Sequence, residues 1–138
     1  METMAPLRPT VQRPRRILLT ATPTSVAAAR GQVRAAIFAW DVPVDVETAE
    51  LLTSELVTNA IAHEAGETVM LTVTCICGQL RVDVHDSSFA EPVPVDVPLD
   101  AETGRGLMLV ASLSTDWGYH RTQSGKAVYF TLAFKDGL

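Results

Sequence analysis

Residues 54–63 read Ser54-Glu55-Leu56-Val57-Thr58-Asn59-Ala60-Ile61-Ala62-His63, and two spacings run through them at once. Leu56, Val57, Ala60 and Ile61 continue a set that begins at Ala49 and Leu52. The set recurs at about 3.6 residues, which makes the stretch an amphipathic helix with one face for a core. Glu55 and Asn59 stand four apart, so both polar side chains leave the same side of that helix. They fall on the border of the apolar face, where a polar group can line a cleft while its helix packs on a core. A carboxylate and a carboxamide aimed at one spot suit a site that needs a base beside a metal-bound phosphate. A solvated helix edge is the plainer reading of the same pair.

Upstream, Asp45 can cap this helix, and Pro43 ends an earlier one. That earlier helix is expected from a cap at Thr22 or Thr24 to about Trp40, with Val26, Ala29, Val33, Ile37 and Trp40 on one stripe. Arg16 to Thr22 reads as a first strand, stopped by Pro23. Downstream, Gly66 closes the helical region. Val69, Leu71, Val73, Cys75 and Cys77 then alternate with Met70, Thr72, Thr74 and Ile76, and Leu80, Val82 and Val84 alternate with Arg81, Asp83 and His85. Gly78-Gln79 is a tight connection between these two strands. Ser87 to Thr103 is a long irregular stretch with Pro92, Pro94 and Pro98, and a loop of that length is usually functional or mobile. An apolar helix follows from Leu107 to Leu113. Last come strands near Thr115–His120 and Ala127–Phe134, joined through Gln123-Ser124-Gly125. The order β-α-α-β-β-loop-α-β-β, with adjacent strands joined by hairpins, predicts an α+β, two-layer domain: an antiparallel sheet with helices on one face.

The bulk composition bounds the function. At 138 residues, 47% hydrophobic and 20% charged, the chain has the makings of one globular domain. Residues 15–138 are expected to form it, behind a flexible tail of residues 1–14. A net charge of −5 argues against a general nucleic-acid binder, which needs a basic face. Arg8, Arg13, Arg15 and Arg16 are read as solvated tail charges rather than a binding patch. No apolar run approaches the ~20 residues that span a bilayer, and Met1 to Pro14 has no apolar signal region. Cys75 and Cys77 are expected to share a strand face as buried, reduced thiols, which favours the cytoplasm.

Two further features carry chemistry. Counting by twos from Leu80 through Val82 and Val84 lands on Asp86, so its side chain points to the aliphatic face. A buried carboxylate costs roughly several kcal/mol unless it finds donors. Capping a backbone turn and receiving a ligand donor such as an adenine amino group answer this equally well. In Thr103-Gly104-Arg105-Gly106-Leu107, two glycines at a helix start allow backbone amides close to an anion, and the helix dipole favours negative charge there. Alone, this pattern is weak.

Glu55…Asn59, Asp86-Ser87-Ser88 and Gly104-Arg105-Gly106-Leu107 together resemble, in order and spacing, the nucleotide-binding boxes of the histidine-kinase-like ATPase superfamily. More narrowly, Ser54-to-Ala60, Gly104-to-Leu107 and Trp117-Gly118-Tyr119 with Gly125-to-Phe130 look like the actinobacterial anti-sigma regulatory factors, serine kinases of the RsbW type. The resemblance covers about residues 16 to 134. It implies the Bergerat fold, a mixed and mostly antiparallel sheet with helices on one face and ATP between the layers. It implies Asn59 as the magnesium ligand, Glu55 as general base, and Asp86 as reader of the adenine amino group. Gly104, Arg105, Gly106 and Leu107 would bind phosphates, and Ser87–Thr103 would be the ATP lid. Two departures stand out. Ser88 occupies a place that is commonly glycine, and Ala127 replaces a threonine that helps hold adenine. His63 is read as a helix-end histidine near the C-terminal dipole, His85 as solvated, Trp40 and Trp117 as packing, and Lys126 as a strand-end charge.

A sensor kinase needs a helical dimerisation segment with a phosphoacceptor histidine, which residues 1–20 do not supply. The resemblance therefore implies a solitary, homodimeric domain with two tasks: phosphorylating a STAS-type anti-sigma antagonist and sequestering a sigma factor. Direct nucleic-acid or membrane contact is not expected. A module that holds ATP without transferring phosphate is the alternative.

Overall fold

A computed structural model describes residues 13–63, 66–89 and 106–135. Strand β1 (Arg15–Thr20) leads into helices α1 (Ser25–Ala39) and α2 (Val46–His63), followed by the hairpin β2 (Thr68–Ile76) and β3 (Gln79–Asp86). Helix α3 (Gly106–Leu113) precedes a second hairpin, β4 (Asp116–Thr122) and β5 (Gly125–Ala133). The five strands form one sheet in the order β1-β2-β3-β5-β4, and every neighbouring pair is antiparallel. The α+β architecture is the expected one.

Strand parity builds the core. Val69, Leu71, Val73 and Cys75 of β2, Leu80, Val82 and Val84 of β3, and Val128, Phe130 and Leu132 of β5 lie on one face of the sheet and are buried. Against them pack Ala29, Val33, Ala36 and Ile37 of α1, and Ala49, Leu52, Leu56, Val57 and Ala60 of α2. Burying each large aliphatic side chain contributes about 1.5–3 kcal/mol. This packing holds α2, the helix with Glu55 and Asn59, across the middle of the sheet. The opposite face is polar: the Arg81 guanidinium lies 3.9 Å over the Tyr129 ring and donates to both Asp83 oxygens at 2.9 and 3.0 Å.

Helix α2 begins as its sequence requires. The Asp45 carboxylate accepts from the Thr48 N–H at 3.1 Å and the Thr48 hydroxyl at 2.6 Å. These bonds, the hydroxyl's first, hold its carboxyl below the usual aspartate range. Thr24 sits at the α1 cap position, but its hydroxyl bonds that of Thr22 at 3.0 Å instead of the helix.

The β2–β3 turn differs from expectation. Strand β2 stops at Ile76, and the turn is Cys77-Gly78 with φ of 52° and 76°. Two positive φ values match the twist of a two-residue hairpin, so Cys77 leaves the strand face. It is exposed while Cys75 is buried, which corrects the view of both thiols as buried.

Gly125, at the start of β5, has a steric task. A Cβ there would run into the backbone carbonyl of Asp86 and the Cα of Ser87. Gly125→Ala is expected to lower stability by about 1–3 kcal/mol, because backbone and not a side chain must give way. Urea denaturation measures this, and a loss below about 0.5 kcal/mol, the range of neutral surface changes, would refute it. No helix among the described residues is long and apolar enough to cross a membrane.

Candidate functional site

Glu55 and Asn59 sit one turn apart on α2, each half-buried, as the four-residue spacing requires. Glu55 meets the start of α3: a Cβ on Gly106 would lie 2.5 Å from the Glu55 Oε1. Glycine at 106 therefore lets the carboxylate approach the helix backbone. Burial pushes the Glu55 carboxyl above the ordinary glutamate range. A carboxylate shifted this way holds a proton more readily, as a general base must.

The Asn59 Nδ2 is buried and has no hydrogen-bond partner. A buried amide group left unpaired costs about 1–3 kcal/mol, so its place in the fold makes sense if a ligand completes it. The carboxamide can turn its oxygen to a cation or its nitrogen to an anion's oxygen. Among the described residues no three His, Cys, Asp or Glu side chains cluster to hold a metal by themselves. Magnesium suits such a place, because it is commonly held by one or two protein oxygens together with phosphate oxygens and water. The residues present fit it.

Asp86, at the end of β3, does point to the helix-covered face and is 1% exposed. Its Oδ1 accepts from the Ser88 N–H at 2.8 Å, so it caps a turn. It also accepts from the Lys126 ammonium, at 3.0 Å to Oδ1 and 3.1 Å to Oδ2. Lys126 is thus no strand-end charge: it is opposite Asp86 in the β3–β5 ladder and equally buried. Parity could have found it, since counting back by twos from Phe130 and Val128 reaches Lys126. The same register corrects the reading of Ala127. That residue pairs with His85 on one side and His120 on the other, on the opposite sheet face from Asp86. Position 126, not 127, neighbours the Asp86 carboxylate. His85 is half-buried rather than solvated, with its Nε2 at 2.8 Å from the Thr122 hydroxyl. Ser88 has no positive φ, so this turn makes no demand for glycine there.

Two clusters result: Glu55 and Asn59 with Gly106, and Asp86 with Ser88 and Lys126. Among the described residues no side-chain hydrogen bond or ion pair runs from Glu55 or Asn59 to Asp86 or Lys126. The Leu107 side chain is in the core, which leaves only its backbone amide to face a ligand. Gly104, Arg105 and most of the expected lid, residues 90–103, lie outside the described residues.

The family model of the histidine kinase-like ATPase domain matches residues 19–132. No curated protein matches the chain significantly. Among solved structures, the RsbU and RsbW domains of Rv1364c from Mycobacterium tuberculosis superpose with a TM-score of 0.66 at 18% identity. That match covers 91% of this chain and 34% of the other. The histidine kinase domain of the blue-light-activated histidine kinase from Erythrobacter litoralis EL346 gives a TM-score of 0.50 at 29% identity, over 79% of this chain and 61% of the other. The chain thus spans about a third of the first structure's length and under two thirds of the second's.

Proposed function

Because the chain belongs to the histidine kinase-like ATPase domain family, we propose that it is an ATP-binding anti-sigma regulatory factor acting in the cytoplasm. In this reading it is a serine/threonine kinase that phosphorylates a STAS-type anti-sigma antagonist. In its other state, as a homodimer, it holds a sigma factor away from RNA polymerase. The likeness to a structure containing an RsbW domain supports the partners. The observation that carries the chemistry is the meeting of Glu55 with the glycine-opened start of α3, one turn from the unpaired Asn59 amide.

Asn59 would hold magnesium through its side-chain oxygen. Magnesium, when bound, neutralises charge on the phosphate oxygens. The amides at the start of α3, from Gly106 and Leu107, would face the phosphates, with Gly104 and Arg105 ahead of them. Asp86 would take the adenine amino group at the other end. Glu55 would accept the proton of the attacking serine or threonine hydroxyl. That oxygen bonds to the γ-phosphorus as the bond to the β-bridging oxygen breaks, and ADP leaves.

The contact between Glu55 and Gly106 also favours a second reading. The carboxylate lies against backbone where phosphate is expected, as it would in a module that holds ATP and transfers nothing. Incubation with magnesium, γ-labelled ATP and a panel of STAS-type proteins separates the two. Label on a serine or threonine of one antagonist is the expected result. Bound nucleotide without label on any of them supports the module, and no heat on titrating magnesium-ATP refutes both.

A further inference from the structure

Strand β1 forms one edge of the sheet, so half of its backbone groups have no neighbouring strand to bond. The ladder identifies them. The Ala21 N–H donates to the Glu67 carbonyl at 2.8 Å, which continues the β1–β2 register by one residue. Opposed residues of an antiparallel pair alternate between bonded and non-bonded. Arg15, Ile17 and Leu19 therefore bond β2, and the N–H and C=O groups of Arg16, Leu18 and Thr20 point off the edge. Of these, among the described residues, only the Thr20 carbonyl has a backbone partner, the Thr22 N–H at 2.8 Å. Leu18 is 62% exposed, the most exposed large apolar side chain among the described residues. Edge strands are usually protected by charges, proline or a bulge. The other edge, β4, has the exposed Asp116, His120 and Arg121. Strand β1 instead offers Ile17-Leu18-Leu19 in a ladder without a bulge.

A second copy of this chain fits that edge, and the residues select a single register. A two-fold axis normal to the sheet sets β1 antiparallel to the partner's β1 and joins the two sheets. Outward groups must meet outward groups, so Arg16, Leu18 and Thr20 supply the bonds. An axis at Arg16 puts like charges face to face, which is destabilising. An axis at Ile17 needs Pro14, which has no N–H, opposite Thr20. An axis at Leu19 or Thr20 draws on Thr22, which lies beyond the strand and whose N–H is already bonded. An axis at Leu18 meets none of these obstacles. Leu18 then exchanges both N–H···O bonds with the partner's Leu18, and Arg16 pairs with the partner's Thr20. Ile17 lies beside the partner's Leu19 on the helix-covered face. We propose that β1 is the homodimer interface, with its two-fold axis at Leu18. This rests on the homodimer of the reading above and names its surface.

A residue that faces its own copy can be tested by charge. Sedimentation velocity of the full chain is measured, from micromolar to submillimolar, for wild type, Leu18→Lys, Leu18→Glu and an equal mixture of the two variants. The exposure of the site lets both variants fold, which circular dichroism checks. Wild type is expected to be a dimer. Each variant alone sets like charges opposite one another and loses the leucine contact, so it should dimerise about tenfold or more weakly. The mixture should restore the dimer, because opposite charges then meet across the axis. A Leu18→Glu dimer tighter than that of wild type would put position 18 opposite Arg16 and overturn the inference. A wild-type dimer that neither variant weakens overturns the inference alone and moves the homodimer to another surface. If Leu18→Lys keeps that dimer but loses labelling of the antagonist, the edge belongs to the antagonist. A monomeric wild type overturns the homodimer and the inference with it. Slow amide exchange at Arg16 and Leu18 in that monomer would assign the edge to another segment of the same chain.

Discussion

Lys126→Met, with Asp86 left in place, is expected to lower the unfolding free energy by about 3–5 kcal/mol, the usual cost of leaving one partner of a buried ion pair uncompensated. Side-chain exposures of 1% for Lys126 and 0% for Asp86 keep the carboxylate away from bulk solvent. The remaining donor to Asp86, the Ser88 N–H, does not balance a full charge. The double variant Asp86→Asn with Lys126→Met is expected to recover most of the loss. It removes both charges, and the asparagine keeps an oxygen for the Ser88 N–H. Urea denaturation of the two variants and the parent measures the cycle. A Lys126→Met loss below about 1 kcal/mol, typical of an exposed pair, would show that the pair is open to solvent.

The second large effect concerns Glu55→Gln, which has two readouts. As a general base, Glu55 should contribute about 10²–10⁴-fold to transfer, so the variant should bind magnesium-ATP but label no antagonist above background. Its stability should move the other way. Burial raises the Glu55 pKa above its ordinary value of 4.5, so the folded protein holds this proton more tightly than the unfolded chain does. Stability from this group is therefore full below pH 4.5 and falls as pH rises through the folded value. Glutamine carries no charge to desolvate. The variant should thus melt higher than the parent at pH 7, with the gap closing on acidification below pH 4.5. Transfer that survives in Glu55→Gln would remove Glu55 as the base. An unchanged melting temperature at pH 7 would show that its carboxylate is well solvated.

The residues that were misread share a physical reason. Asp86 was placed inward because its own strand has an unbroken apolar alternation. Lys126 obeys the same alternation from Val128 and Phe130, but a lysine at the end of a run is ordinarily a solvated charge, and nothing local overrides that expectation. Only the β3–β5 register, which joins residues forty positions apart, puts a carboxylate opposite it. Cys77 followed the strand pattern too, until the demand of a two-residue turn for positive φ took it out. Ala127 is read from the resemblance as standing in for a threonine that helps hold adenine, but strand pairing puts Lys126, and not Ala127, opposite Asp86.

What the sequence by itself determined is what local periodicity can carry. It placed Glu55 and Asn59 on one side of α2, turned Asp86 inward, and ordered helices and strands into an α+β domain. Each of these follows from spacings within a single element, where backbone geometry repeats every 3.6 or 2 residues. Tertiary structure alone decided that Asp86 meets Lys126 and that Glu55 rests against Gly106. Those contacts join separate elements. Cross-strand register and helix placement are set by how the whole core packs, which no local period encodes.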